Sequence, residues 1–187
     1  ILWWAPDPRM LFETASFELP SRLRRQLRKC AWTLRADTAF ARVITACAST
    51  PRPGQDGTWI TADMVAAYVE LHRLGHAHSI EVFAGETLVG GIYGVAVGQM
   101  FFGESMFSGQ SGGSKLALAG LARLLVRWGW PLIDAQLENP YLVSLGARRL
   151  PRDQFMGRVQ ALVAMPGRPG SWTPYVDDWP AMDFGKP

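Results

Sequence analysis

The chain has 187 residues, of which 48% are hydrophobic and 19% charged, a balance that argues against intrinsic disorder and fits one domain or one domain plus a fragment. No run of 18 apolar residues occurs, so no membrane span is expected. The net charge of +3 is compatible with an anionic partner but does not identify one.

The N-terminal part predicts an extended segment, a basic span and a short helix. Residues 1–12 carry two prolines and little periodicity, which favours an extended conformation. The span 19–37 is rich in arginine around two leucines, and 38–49 has the pattern of a short helix. Residues 50–58 form a Pro- and Gly-containing loop. The chain starts without Met or a signal-peptide pattern, so we expect its natural N-terminus to lie upstream of Ile1.

The middle of the chain predicts a helix followed by a run of strands. Thr61 can cap a helix over 62–75, which Gly75 would terminate. Residues 78–107 predict strand, turn, long strand, turn and strand, with a glycine at both turns.

The C-terminal part opens with a Gly/Ser loop, 108–115, that leads into a helix over 116–129. A strand over 130–136 and a short helix near 140–147 follow. One more helix or strand is expected within 148–165. The remaining tail, rich in Pro, Gly and Trp, is predicted to be irregular.

This order of elements predicts an α+β fold, an α/β sandwich with a mixed, mostly antiparallel sheet. It resembles the Gcn5-related N-acetyltransferases, in which a loop before the central helix binds the cofactor's pyrophosphate on backbone N–H groups. The equivalent loop here, Gln110 to Lys115, matches the family pattern only loosely. Because one fold hosts many activities, the order of elements leaves the function open.

Two polar residues stand at the end of the predicted strand 130–136. Asp134 and Gln136 are two positions apart, so in a regular strand they would share a face. A carboxylate and an amide at the end of a buried strand need partners. They are either hydrogen-bonded structural groups or groups that face a substrate.

A more specific resemblance rests on long strings of residues. The chain resembles the bacterial leucyl/phenylalanyl-tRNA–protein transferases, and GHAHSIEV and GESMFS are the most specific strings. The matching segments are ILWWAPDPR, TWITADMVAAYVELHRLGHAHSIEV, LVGGIYGVAVGQMFFGESMFS and LIDAQLENPYLVSLGARRLPRDQF. The resemblance implies an enzyme that moves Leu or Phe from its tRNA to the N-terminal Arg or Lys of a protein, which marks that protein for degradation.

The resemblance also implies a domain organisation. The family has a small N-terminal domain on an acyltransferase-like domain, so residues 1–12 would be a remnant of the first and 13–187 the catalytic domain. A GIFPW-like segment of the family would lie before Ile1.

The resemblance also sets expectations about partners and location. We expect no cofactor, no membrane contact, a cytoplasmic location and a monomer. The cytoplasmic expectation agrees with the two cysteines, Cys30 and Cys47, whose spacing matches no metal motif and indicates a reducing compartment.

The resemblance implies that Asp134 and Gln136 are the catalytic pair. The substrate ester is already activated, and an acceptor α-amine with a pKa of about 8 is partly neutral. An amide is too weak a base to deprotonate it, so Gln136 would accept a hydrogen bond from the attacking N–H while Asp134 polarises or orients Gln136. Positioning would then supply most of the acceleration. Asn139 or nearby backbone N–H groups could bind the developing oxyanion.

The remaining site residues follow from the same resemblance, each against a structural alternative. Glu104 would bind the cation of the acceptor's N-terminal residue, unless it is a surface carboxylate. Trp59 would stack on the terminal adenine of the tRNA, unless it belongs to the core. The candidates for the aminoacyl pocket, each of which is equally explained as ordinary core, are Ile92, Phe101, Leu118 and Leu121.

The basic span is interpreted in two ways. A dense set of cations is typical of a solvated helix face. With an RNA partner implied, these residues could equally contact phosphates, and such contacts would be sensitive to salt and blind to sequence. The candidate tRNA-binding residues of this set are Arg22, Arg24, Arg25, Arg28 and Lys29.

A metal site is not predicted. His72, His76 and His78 lie close together beside Glu70, but their spacing matches no standard zinc pattern.

Two rival functions remain. The first is an N-acetyltransferase that uses acetyl-coenzyme A, which the element order and the Gly/Ser loop support. The second is a non-catalytic tRNA-binding module, which the absent N-terminal segment supports.

Overall fold

The computed structural model describes residues 6–51 and 57–186. Its strands are β1 Arg9–Glu13, β2 Thr33–Ala36, β3 Ala77–Ala84, β4 Thr87–Val97, β5 Met100–Ser108, β6 Leu132–Gln136, β7 Arg148–Leu150 and β8 Trp179–Pro180. Its helices are α1 Ser21–Leu27, α2 Phe40–Ser49, α3 Ala62–Arg73, α4 Gly113–Arg127, α5 Pro140–Ser144 and α6 Arg152–Val163. Short 3₁₀ turns cover 14–16, 173–175 and 181–184.

The eight strands form one sheet in the order β7-β1-β6-β5-β4-β3-β2-β8. Each neighbouring pair is antiparallel except β5 and β6, which run parallel. A parallel pair needs a crossover connection, and α4 supplies it between these two strands. The predicted α+β class with a mostly antiparallel sheet is therefore confirmed.

Helix α4 covers one face of the sheet and is buried almost all round. Of its fifteen residues, those that are not buried are Lys115, Arg123, Val126 and Arg127. Its inner side packs on β3 and β4, and its outer side is covered by the turn 14–16 and the tail segment 181–184. A helix that is apolar all round is expected in such a position. The core on this side includes Trp130 and Trp172, both nearly inaccessible to solvent.

The other face of the sheet is covered by two separate groups of helices. Helices α2 and α3 pack around Phe40, Ile44 and Tyr93. Helix α6 packs its Phe155 against strand residues, among them Leu11 of β1. Because side chains alternate along a strand, each strand supplies residues to both faces.

Most elements occur where the sequence predicts them. Thr61 caps α3, its hydroxyl accepting a bond from the Met64 N–H at 3.4 Å, and Gly75 follows the helix with a φ of 79°. The span 148–165 holds both a strand and a helix, β7 and α6. Strands β2 and β8 are not foreseen, because they are short and lie in segments that carry a basic or an irregular composition.

The predicted domain boundary falls within β1. This strand pairs with β6 and β7 in the same sheet as the other strands. The division into residues 1–12 and 13–187 stays a prediction.

Candidate active site

A cleft opens where the two parallel strands separate. Strands β5 and β6 pair only from Met100 with Leu132 to Phe102 with Asp134. Beyond these pairs β5 continues along β4 and β6 continues along β1, so the sheet leaves a gap. The gap between the carboxyl ends of parallel strands is a common ligand site in α/β sheets. Here it forms a cleft of about 720 Å³.

Both strands that flank the cleft contain a β-bulge. In β5, Ser105 pairs with Tyr93 and Gly103 pairs with Gly94, so Glu104 is the extra residue. In β6, Ala135 is the extra residue, because Asp134 and Gln136 pair with consecutive residues of β1. Bulges interrupt the alternation of side chains and re-aim a residue, and they are enriched next to active sites.

The bulge in β6 corrects the expectation that Asp134 and Gln136 share a face in a regular strand. Gln136 has a φ of 63°, in the left-handed region, and its backbone N–H donates to Asp134 Oδ1 at 2.9 Å. A non-glycine residue in this region is strained and persists only when its surroundings fix it. Asp134 therefore touches the backbone of Gln136, and the side chain of Gln136 is free to point elsewhere.

Asp134 is fully buried and is held by an arginine that the sequence did not single out. Arg9 donates from Nε to Oδ1 at 2.9 Å and from Nη2 to Oδ2 at 2.7 Å. The guanidinium also lies over the ring of Phe155 of α6, 5.6 Å from its centroid. A two-pronged contact of this kind is the strongest form of carboxylate pairing. The charge of Asp134 is thus neutralised locally by Arg9.

The amide of Gln136 is oriented by two acceptors. Its Nε2 donates to the carbonyl of Gly103 at 2.8 Å and to Glu104 Oε2 at 3.1 Å. Because both partners only accept, the NH₂ group must face them. The carbonyl oxygen of Gln136 is then the group that the side chain can offer to a donor such as an amine. A Cβ at position 103 would lie 3.0 Å from the Asp134 backbone oxygen, so glycine there allows β5 and β6 this close approach.

Glu104 lines the cleft and is partly buried. Burial raises its pKa, while hydrogen bonds from Gln136 and Tyr68 act in the opposite direction. Tyr68 of α3 is the second residue that sequence reasoning missed, and burial together with Glu104 raises the pKa of its phenol. A carboxylate with two neutral donors and an open side can still bind a cation, because neither donor cancels its charge.

The far wall of the cleft carries a chain of hydroxyl groups. Ser108 Oγ lies 2.8 Å from Ser114 Oγ, which lies 3.0 Å from the hydroxyl of Tyr141. Lys115 extends over the ring of Tyr141, with Nζ 5.5 Å from the centroid. This wall gives the cleft donors for oxygen-rich groups such as a ribose.

Asn139, the candidate oxyanion residue, also lines the cleft. Its Oδ1 accepts from the Tyr141 N–H at 2.7 Å and caps α5. The cap leaves the NH₂ group of Asn139 as a donor. Its role toward an oxyanion stays a prediction.

The four candidates for the aminoacyl pocket separate into two pairs. Ile92 and Leu118 line the cleft. Phe101 and Leu121 are buried in the core around α4 and are not among the described residues that line the cleft. Phe101 packs instead against Trp172, with ring centroids 5.9 Å apart. The apolar lining of the cleft includes Phe12, Met106 and Ile133, which sequence reasoning did not name.

Trp59 is exposed, with 43% of its surface accessible, which argues against a core role. Its ring meets that of Tyr68 edge to face at 6.4 Å. Tyr68 therefore contacts Trp59 with its ring and Glu104 with its hydroxyl.

The candidate phosphate-binding residues lie on or just after α1. Arg22, Arg25, Arg28 and Lys29 are exposed and Arg24 is half-buried, while Leu23 and Leu27 face the core. Arg28 donates from Nε to the backbone oxygen of Gly185 at 2.9 Å. The face is accessible to a partner, and its role toward tRNA stays a prediction.

The histidines serve local structure in the described chain. His72 stacks on Phe40 and His78 stacks on Trp172, in both cases with nearly parallel rings. Across residues 6–51 and 57–186, no three His, Cys, Asp or Glu side chains are grouped so as to hold a metal ion.

Within the part of the chain that the structure describes, no helix has the length and apolarity that crossing a membrane requires.

Two solved structures are similar to parts of this chain. A functionally unknown conserved protein from Staphylococcus epidermidis is 10% identical, with 77% of this chain and 57% of that one covered at a TM-score of 0.48. The L-PGS structure from Bacillus licheniformis is 9% identical, with 73% and 47% covered at a TM-score of 0.46. The resemblance to Gcn5-related acetyltransferases stays a prediction.

Sequence comparison is more specific. A family model described as leucyl/phenylalanyl-tRNA protein transferase matches residues 11–160. Proteins named leucyl/phenylalanyl-tRNA–protein transferase are similar to this chain in Xanthomonas axonopodis pv. citri, with 66% identity over 100% of this chain and 75% of the relative, and in Xanthomonas campestris pv. campestris strain B100, with 69% identity over 92% and 70%. The protein of that name from Xylella fastidiosa is 59% identical over 92% and 71%. The chain belongs to the leucyl/phenylalanyl-tRNA–protein transferase family.

Proposed function

We propose that this cleft joins a leucyl or phenylalanyl group, delivered on tRNA, to the N-terminal Arg or Lys of an acceptor protein. The observation that carries the proposal is the contact between Gln136 and Glu104 at the mouth of the gap. One group offers an oxygen to an attacking amine, and the other offers a negative charge to the side chain next to that amine. The modified acceptor would be marked for degradation.

The reaction needs little proton chemistry from the protein. The neutral α-amine attacks the ester carbonyl carbon, a C–N bond forms, and the bond to the ribose oxygen breaks. The amine loses a proton and the ribose oxygen gains one. Gln136 accepts a hydrogen bond from the attacking N–H and thereby aligns the nitrogen lone pair. Alignment of this kind is worth up to roughly 7–11 kcal/mol in the best intramolecular reactions.

Asp134 acts in this mechanism as an anchor. Its charge is paired with Arg9, and its contact with Gln136 is through the backbone. The carboxylate thus holds the left-handed conformation that turns the Gln136 amide toward Glu104.

The donor side of the cleft is apolar and matches a Leu or Phe side chain. Ile92, Leu118 and Ile133 line it. No cation faces these residues within the described lining except Lys115, which lies over Tyr141. Trp59, exposed at the other side of Tyr68, would stack on the terminal adenine at a gain of about 1–3 kcal/mol.

A charge-removing substitution tests the acceptor site. Glu104→Gln keeps the shape of the side chain and removes the negative charge. Acceptors that begin with Arg or Lys should then lose about 2 kcal/mol of transition-state stabilisation. This value is the lower end of the range for losing one partner of a charged hydrogen bond, because water can reach the site. Transfer to peptides starting with Arg, Lys and the neutral isostere citrulline is measured in both proteins. A mutant that keeps the wild-type preference for Arg over citrulline would show that Glu104 is not the acceptor's counter-charge.

The same ratio also gives a pH test. Because burial raises the pKa of Glu104, its negative charge is lost on acidification at a higher pH than for an exposed glutamate. The wild-type preference for Arg over citrulline should decline as the pH falls through that raised pKa. The ratio cancels the protonation of the α-amine, which both peptides share.

A further inference from the structure

A second cleft, of about 410 Å³, lies on the outer side of α4, and its charged lining residues are mostly basic. Helix α4, the turn 14–16 with the segment after it, α1 and the C-terminal tail form its walls. Its charged residues are Arg24, Arg123, Arg127 and Lys186, with Glu18 and Asp183 as the two carboxylates. Asp183 accepts a bond from Lys186, so part of the negative charge is already engaged.

Helix α4 connects the two clefts. Three of its four residues that are not buried are cations, and the helix has no acidic residue. Lys115, near its start, lines the active-site cleft, and Arg123 and Arg127, near its end, line the second cleft. Arg127 stands twelve residues after Lys115, about 18 Å along a helix that rises 1.5 Å per residue. The two clefts are therefore held at a fixed separation by one helix.

The pair Arg123 and Arg127 places two positive charges one turn apart on the same helix. Like charges four residues apart on a helix repel each other. The C-terminal end of a helix favours a cation, which accounts for Arg127 alone. Burial and the neighbouring Arg127 lower the pKa of Arg123, while the Asp183 carboxylate acts in the opposite direction.

The C-terminal tail holds these guanidinium groups in place. Arg123 donates to the backbone oxygen of Asp183 at 3.3 Å and lies 4.2 Å from the centroid of the Phe184 ring. Arg127 lies 4.4 Å from the centroid of the Trp179 ring. Contacts with aromatic rings and one backbone bond hold the guanidinium groups and leave donors free for an anion.

We propose that this cleft binds backbone phosphates of the tRNA, next to the 3′ end that enters the active site. The proposal rests on the proposed function for the identity of the RNA. Phosphates suit the site because two arginines one turn apart on a rigid helix bind neighbouring anions without reading bases. The nucleotides that precede the reactive end lie within the length of α4, so binding here would set how deeply that end reaches toward Gln136.

The test compares a whole tRNA with a minimal donor. The double variant Arg123→Gln, Arg127→Gln should bind tRNA roughly 10- to 30-fold more weakly at 0.15 M salt, and the slope of log K against log salt should decrease by about 2, one for each lost phosphate contact. Binding is measured directly by equilibrium titration with uncharged tRNA. Transfer from an aminoacyl-adenosine donor, which lacks the neighbouring phosphates, measures the integrity of the active site separately.

Two further variants keep the result interpretable. Val126→Glu introduces a negative charge into the cleft at a residue that is 46% exposed, and it should weaken tRNA binding. The control, Arg148→Gln with Arg152→Gln, removes the same charge at exposed positions outside the cleft and should leave tRNA binding close to wild type.

Unchanged tRNA affinity and salt slope in the folded variants would overturn the proposal, and so would an equal loss in the control. A loss confined to binding of an acceptor protein would assign the cleft to that protein instead. If the wild-type protein transfers from neither donor, the proposed function fails, while the titration still decides whether the cleft binds tRNA.

Discussion

At the scale of single residues, the site is organised by one ion pair. Arg9 donates two hydrogen bonds to Asp134, and Asp134 accepts a third from the backbone N–H of Gln136. The buried charge is thus compensated, as a buried carboxylate requires. The Gln136 amide is then held against the Glu104 carboxylate, which lines the cleft.

Removal of the amide tests the role of Gln136. Gln136→Ala should lower the rate of transfer roughly 100-fold, the cost of misplacing a reacting group, and leave tRNA affinity nearly unchanged. Single-turnover transfer and tRNA titration are measured side by side. Gln160→Ala, at an exposed position of α6, is the matched control. Equal losses in binding and rate would indicate that Gln136 only supports the fold.

The ion pair can be tested with a conservative change. Arg9→Lys keeps the positive charge but replaces the two-pronged contact with a single point of attachment, so Gln136 should be held less firmly. We expect the kcat for transfer to fall at least tenfold while the KM for charged tRNA changes little. Arg152→Lys, an exposed substitution, serves as control. A lowered melting temperature with unchanged kcat would contradict the positioning role.

At the scale of elements, the active site depends on how α4 meets the sheet. The start of α4 lies against β4, where glycines on both elements allow a close approach: a Cβ at Gly113 would lie 2.3 Å from the Val89 backbone oxygen. Ser114, the next residue, begins the hydroxyl wall of the cleft. The position of that wall is therefore set by the contact between two backbones.

A glycine substitution tests this contact. Gly113→Ala should lower the free energy of unfolding by about 1–3 kcal/mol, because the added methyl group overpacks a backbone contact. Transfer should fall as well, since α4 would shift relative to β5. Gly157→Ala in α6, where a Cβ would meet no atom within 4 Å, should instead stabilise the protein by about 0.5–1 kcal/mol. Chemical denaturation of both variants gives the comparison, and equal effects would show that the approach of α4 is not restrictive.

At the scale of the whole molecule, a buried polar cluster connects distant parts of the chain. Asp37, with a φ of 59°, accepts from the N–H of Ser79 at 2.9 Å and from the N–H of Trp172 at 2.7 Å. It joins the end of β2 to β3 and to the C-terminal tail. Glu81, fully buried nearby, accepts from the hydroxyls of Ser79 and Thr38.

Glu81 gives the fold a dependence on pH. Burial raises its pKa to about 7, against a value near 4.5 for a free glutamate. Because the folded state binds this proton more tightly than the unfolded state, stability should be greatest below pH 4.5 for this group and decline, by up to about 3 kcal/mol, as the pH rises to 7. Glu81→Gln should lose that decline, and the exposed Glu86→Gln should keep it. Identical pH profiles of unfolding in wild type and Glu81→Gln would refute the assignment.

The sequence alone determined the order of most elements, the α+β class and the family, but not the short strands β2 and β8. Local patterns decide these features. Thr61 caps α3 with its hydroxyl and Gly75 ends it in a left-handed conformation, both within a few residues of the helix. Strings such as GESMFS identify the family without the fold. The tRNA phosphate contacts of α1 and the roles of Glu104 and Trp59 were predicted from the resemblance, and they stay predictions to be tested.

Only the tertiary structure decided how the site is held. Arg9 and Asp134 are 125 residues apart in sequence. Tyr68 lies on α3 and Glu104 on β5, with β3 and β4 between them in the chain. No local pattern relates the members of either pair. The two bulges arise from the register between neighbouring strands, which depends on both strands at once. The same holds for Phe101 and Leu121, since whether an apolar side chain faces a cleft or the core depends on what packs against it.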